Sequence, residues 1–225
     1  PMGQCHTALA NVDLVSLVDA KPETPDDLKL KLVIPQEAEE KARTLLREIG
    51  ISDGTPFLIL HPTSRWMFKC WTDEGNAKFL DEAESALGLR PVVTAAPAAV
   101  EMEKISRILA ICKTKPAVLA GRTDLMTLAA LIRRARLFVG VDSAPVHIGS
   151  AVGTPVLALF GPSGQKEWHP WQVPYRTIQR LAWSCCPCGQ DGCAGTKRSR
   201  CLDDIQAVEV LSAAKHLLSS LDASA

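Results

Sequence analysis

From Phe57 onward the apolar positions fall into short runs separated by amphipathic stretches. FLIL (57–60), PVVTA (91–95), AVLA (117–120), LFVGV (137–141) and PVLALF (155–160) are nearly continuous apolar segments of strand length. Helical patterns lie between them, near Glu74 to Leu87, Glu101 to Cys112, Asp124 to Arg134 and Pro145 to Val152. Strands of this kind alternating with helices predict an α/β fold built on a parallel sheet with helices on both faces. Upstream, Ala38, Ala42, Leu45, Leu46 and Ile49 share one face of a helix that has Pro35 at its first position and Gly50 just past its end. Residues 1–34 hold few apolar positions. KPETPDD (21–27) reads as a linker or surface loop, and Asp13 lies in NVDLVSLVD, a short apolar run without the helix that would make a domain of it. A closing helix is expected from about Ile205 to Leu218. The organisation is therefore a linker or remnant over 1–34 and one domain over 35–225, the latter including a cysteine-rich loop at 185–201.

Ligands of parallel sheets sit beyond the carboxyl ends of the strands. HPTSRW, TAAPAAVE, AGRTD and DSAPVH each follow a predicted strand, so they converge on one crevice, and GPSGQKEWHPW lies on the same side. Thr63 and Ser64 can donate to phosphate oxygens, and Lys69 is a point charge suited to a pyrophosphate. Glu101 can accept from ribose hydroxyls, with Glu103 as a competitor. Thr123 either caps the next helix or borders an adenine. Asp142 and Ser143 end a strand just before a helix whose first-turn N–H groups and dipole favour an anion, and His147 lies in that first turn. The plainer alternative makes Asp142 and Ser143 a helix cap and His147 a core hydrogen-bonding group.

Composition narrows the classes. Twenty-five basic and 25 acidic side chains give no general field for nucleic acid or an anionic membrane, so any phosphate site must be local. With 47% hydrophobic and 22% charged residues the chain is globular. The first residues lack a cationic start followed by an apolar core, so they do not read as a secretory signal. The uncharged stretch from Ser143 to Gln165 is broken by Pro145, Pro155, Pro162 and glycines, so no transmembrane segment is expected. Cys185, Cys186, Cys188, Cys193 and Cys201 crowd one stretch; they lack the spacing of two CxxC pairs and no histidine joins them, so they are expected to be reduced packing thiols rather than metal ligands.

HPTSRWMFKCW, the block AGRTDLMTLAALIRRARLFVGVDSAPVHIGSAVGTPVLALFGPSG and the late CPCG…C…CL pattern together resemble the ADP-heptose:lipopolysaccharide heptosyltransferases, glycosyltransferase family 9. The likeness runs from Phe57 to Leu202 and is strongest to the enzymes that add the branching heptose of the inner core. It implies a Rossmann-like domain forming the C-terminal, donor-binding half of a GT-B glycosyltransferase. Thr63, Ser64 and Lys69 would meet the diphosphate and heptose, Glu101 the ribose and Thr123 the adenine. Asp142, Ser143, Ala144 and His147 would grip the sugar-phosphate side. Ser143 and Ala144 stand where the family often has threonine and glycine. Lys69 and His147 would stabilise the leaving group without a metal ion or cofactor. The general base would come from an acceptor domain that residues 1–30 are too few to form, so the chain resembles the C-terminal portion of a longer enzyme. The implied partners are ADP-heptose and the lipopolysaccharide inner core, with the protein cytoplasmic and peripheral to the inner membrane face. Two other readings are a GT-B-like sugar-nucleotide epimerase and a non-catalytic nucleotide- or metal-binding module.

Overall fold

The computed structural model describes residues 5–223. The chain opens with α1 (Thr7–Val15) and α2 (Gln36–Glu48). Strands and helices then alternate: β1 (Phe57–His61), α3 (Asp73–Leu87), β2 (Arg90–Val93), α4 (Ala99–Ile111), β3 (Ala117–Val118), α5 (Leu125–Arg134), β4 (Leu137–Val141), α6 (Ala144–Ala151) and β5 (Val156–Leu159). The short α7 (Gln165–Trp168), β6 (Tyr175–Ile178), the short α8 (Arg200–Asp203) and α9 (Ala207–Asp222) complete it. The strands form one parallel sheet in the order β3-β2-β1-β4-β5-β6.

Successive strand residues point to opposite faces, and both faces are buried. Leu58, Leu60, Val93, Val139 and Leu157 pack into one layer with α3, α4 and α9. Phe57, Ile59, Val92, Phe138 and Val156 pack into the other with α2, α5 and α6. This two-sided burial is why the strand sequences read as unbroken apolar runs. Gly75 in the first turn of α3 is required by close packing, because a Cβ there would meet the Trp71 ring at 2.4 Å. Gly50 ends α2 with φ +74°, a left-handed conformation that glycine adopts without a Cβ penalty.

Asp13 lies within the helix α1; the His6 Nδ1 accepts the Ala8 N–H at its start, and His6 itself stacks on Trp171 at 4.4 Å. Three sequence expectations are corrected. Pro35 is the residue before α2 rather than its first residue, in extended conformation. The edge strand β6 was not anticipated, because YRTI is short, mixed in polarity and exposed at Tyr175 and Arg176. The AVLA run keeps only two residues in regular ladder, although Leu119 N–H still donates to Val93 O and Gly121 N–H to Ala95 O.

Candidate functional site

The loops after β1 to β5 open onto one cavity of about 1100 Å³, just above the roughly 300–1,000 Å³ typical of ligand clefts. Because the strand order is β3-β2-β1-β4-β5, the wall runs in a line. Thr123 and Met126 stand after β3 and Glu101 after β2. Lys69 follows β1, His147 follows β4, and Trp168 follows β5. All nine residues singled out as ligand-contacting (Thr63, Ser64, Lys69, Glu101, Thr123, Asp142, Ser143, Ala144 and His147) line this cavity.

Two contacts organise its floor. Lys69 Nζ donates to Asp142 Oδ2 at 2.6 Å, tying the loop after β1 to the end of β4. Thr63 is fully buried, and its hydroxyl donates to Glu101 Oε2 at 2.6 Å; the Ala96 N–H donates to the same oxygen at 3.2 Å. The Thr63 hydroxyl is thus directed at Glu101. Glu101 is fixed from a second side: one turn on, buried Lys104 donates to Trp71 O at 2.7 Å and pairs with Asp73, anchoring the start of α4. Glu103 pairs instead with Arg107 at the surface.

At α6 the side chains do not cap the helix. Ser143 Oγ donates back to Val141 O at 3.1 Å, and Ser143 makes no side-chain bond to the first turn. Pro145 has no N–H and the Val146 N–H is taken by Ser143 O, so Ala144 supplies the first-turn donor without an intrahelical partner. The dipole end and this amide face the cavity. Burial lowers the His147 pKa from its usual 6.5, Asp142 pulling it up and Lys69 pushing it down. His147 is therefore a neutral hydrogen-bonding group at neutral pH. Thr123 does not cap α5. Asp124 does, accepting the Thr127 N–H at 2.8 Å.

Trp71 is buried ahead of α3 and donates to Ile205 O at 3.0 Å, while Thr72 caps that helix. The cysteine-rich loop lies apart from the cavity wall. Cys186 and Cys201 are buried, and Cys186 Sγ donates to Gly161 O at 3.3 Å. Burial pushes the Cys201 thiol up to about 12 and raises Cys186 as well, which keeps both protonated. Cys185 and Cys188 are exposed and Cys193 is half-buried. Among the described residues no three His, Cys, Asp or Glu side chains stand together to hold a metal. Motif reading singled out neither Trp168 nor Met126 on this wall. Trp168 ends α7, a helix of four residues that is too short to carry a periodic signal.

The chain is 39% identical over 137 residues to lipopolysaccharide heptosyltransferase 3 of Escherichia coli K12, an alignment covering 60% of this chain and 39% of that protein. It thus spans well under half the length of that curated relative. Its fold matches a glycosyl transferase family 9 structure from Veillonella parvula with a TM-score of 0.81 at 22% identity, covering 98% of this chain and 62% of that one. It also matches the E. coli ADP-heptose lps heptosyltransferase II structure with a TM-score of 0.67 at 22% identity, covering 85% and 54%. Residues 6–198 match the family described as glycosyltransferase family 9 (heptosyltransferase), and the chain belongs to that family.

Proposed function

We propose that this chain is the donor-binding part of a heptosyltransferase that moves heptose from ADP-heptose onto the inner core of lipopolysaccharide. The observation that carries this reading is the line of loops along the carboxyl edge of the sheet, all opening on one cavity with Lys69 and Asp142 at its centre. A nucleoside diphosphate sugar is itself a line of base, ribose, diphosphate and glycosyl group. Thr123 borders the adenine, and Glu101 accepts from the ribose. Lys69, Ser64 and the Ala144 N–H meet the diphosphate, with Asp142, Ser143 and His147 on the sugar-phosphate side.

Transfer needs a deprotonated acceptor and a stabilised departing diphosphate. The Lys69 ammonium, the α6 dipole and a neutral His147 donor serve the second need, so this reading requires no metal ion or cofactor. The general base and the acceptor contacts are assigned to an acceptor-binding half. Among the described residues no helix is long and apolar enough to cross a membrane. We place the work in the cytoplasm, at the inner membrane face where a lipid-borne acceptor is reached. Calorimetric titration of the 225-residue chain with ADP and with UDP tests the reading. ADP should bind and UDP bind more weakly; absence of ADP binding would overturn it.

A further inference from the structure

Trp168 ends α7, in the loop after β5, and lines the cavity although it is 40% exposed. Its ring centroid stands 5.9 Å from that of His147, tilted by 60°. With the ribose end of the wall at Glu101 and the diphosphate centre at Lys69 and Asp142, the wall beyond His147 is where the fourth part of a linear nucleotide sugar would lie. Trp168 is the aromatic surface there.

One further feature suits a sugar subsite. The segment leading to Trp168 is tied to the end of the neighbouring strand: Gln179 Nε2 donates to Gly161 O at 2.9 Å and to Ser163 O at 2.7 Å. An aromatic ring held at the cavity wall matches a pyranose, which offers a C–H face to stack on it. Trp66, 51% exposed on the same cavity, is the rival plate, but the Arg65 guanidinium already lies over its ring at 5.4 Å.

We propose that Trp168 is the platform for the glycosyl group of the donor, stacking on the C–H face of the sugar and contributing to the choice of sugar. This rests on the donor-site reading above, and the experiment separates the two. Dissociation constants for ADP and ADP-heptose are measured calorimetrically on the intact chain and on Trp168→Ala and Trp168→Phe. Trp168→Ala should weaken ADP-heptose about 3- to 10-fold, the range of an aromatic stacking contact, and leave ADP within about twofold. Trp168→Phe should recover most of the loss. Equal weakening of both ligands, or unchanged ADP-heptose affinity, would overturn the platform while leaving the nucleotide site standing. A parent chain that binds neither ligand would overturn the nucleotide-sugar reading and this subsite with it.

Discussion

The Lys69 ammonium and the Asp142 carboxylate meet at 2.6 Å, with side-chain exposures of 25% and 6%. The asymmetry decides what each partner loses. Lys69 reaches water and the cavity, so a diphosphate can take up its charge, whereas Asp142 depends on Lys69 for compensation. Lys69→Ala should weaken ADP binding by about 1–3 kcal/mol, the worth of a charge-assisted hydrogen bond. It should also lower the melting temperature, because a buried carboxylate is left unpaired. Calorimetry and thermal melts read the two effects separately, and unchanged ADP affinity would remove Lys69 from the diphosphate site.

Thr63 and Glu101 predict a different pattern. Oε2 of Glu101 is held by the Thr63 hydroxyl and the Ala96 N–H, a fixed geometry for a carboxylate that accepts from a ribose. Thr63→Val keeps the shape and removes the donor in a fully buried position, so stability should fall by about 1–3 kcal/mol. Glu101→Gln should weaken ADP but leave 2′,3′-dideoxy-ADP nearly unaffected, since the analogue lacks the hydroxyls that the carboxylate accepts from. A parallel loss for both nucleotides would mean that Glu101 only braces the loop.

Acid should destabilise the fold through its histidines. Burial brings His61 down to about 4 and lowers His147 and His6 from 6.5. In the unfolded chain these rings titrate near 6.5, so below that pH the unfolded state binds more protons than the folded one. The stability from neutral histidine is complete above pH 6.5 and is lost as pH falls toward the folded values. For His61 the loss by pH 4 should be about 3 kcal/mol. His61 lies at the end of β1 with Nδ1 3.0 Å from Thr94 Oγ1, a contact that glutamine can replace in part. His61→Gln should melt lower at pH 7 yet show a shallower decline between pH 6.5 and 4.5. Equal slopes in the two proteins would place the acid sensitivity elsewhere.

Legibility in the sequence followed burial. β1, β4 and β5 are covered on both faces, so their apolar runs stood out, and every residue chosen from the loop motifs lines the cavity. β6 sits at the sheet edge with exposed residues and left no such run. The pairings were not legible, because Thr63 and Glu101 are 38 residues apart and Lys69 and Asp142 are 73 apart. A hydroxyl after a strand reads as a phosphate donor, and only folding shows the carboxylate that faces it. The neutrality of His147 is likewise a product of burial, which no local motif records.

Donor binding without acceptor-dependent transfer is the expected behaviour of these 225 residues. The carboxylates lining the cavity are Glu101, Asp124 and Asp142, and each is engaged. Glu101 accepts from Thr63 and Ala96, and Asp142 from Lys69. Asp124 accepts the Thr127 N–H and pairs with Lys41, which with Thr127 holds its carboxyl well below the usual range. A carboxylate so stabilised is a poor proton acceptor, and loss of a general base typically removes about 10²- to 10⁴-fold in rate. His147 is neutral and could accept a proton, and Asp142 favours its charged form, but burial disfavours that form more and Lys69 adds to the effect of burial. Asp13 lies on α1 and does not line the cavity. The chain should therefore bind ADP-heptose, yet release ADP no faster with a heptose-deficient lipopolysaccharide core than without it. Release is followed with a coupled ADP assay across a range of acceptor concentrations. Saturable, acceptor-dependent turnover would mean that one of these engaged groups, with His147 the first to substitute, is the catalytic base.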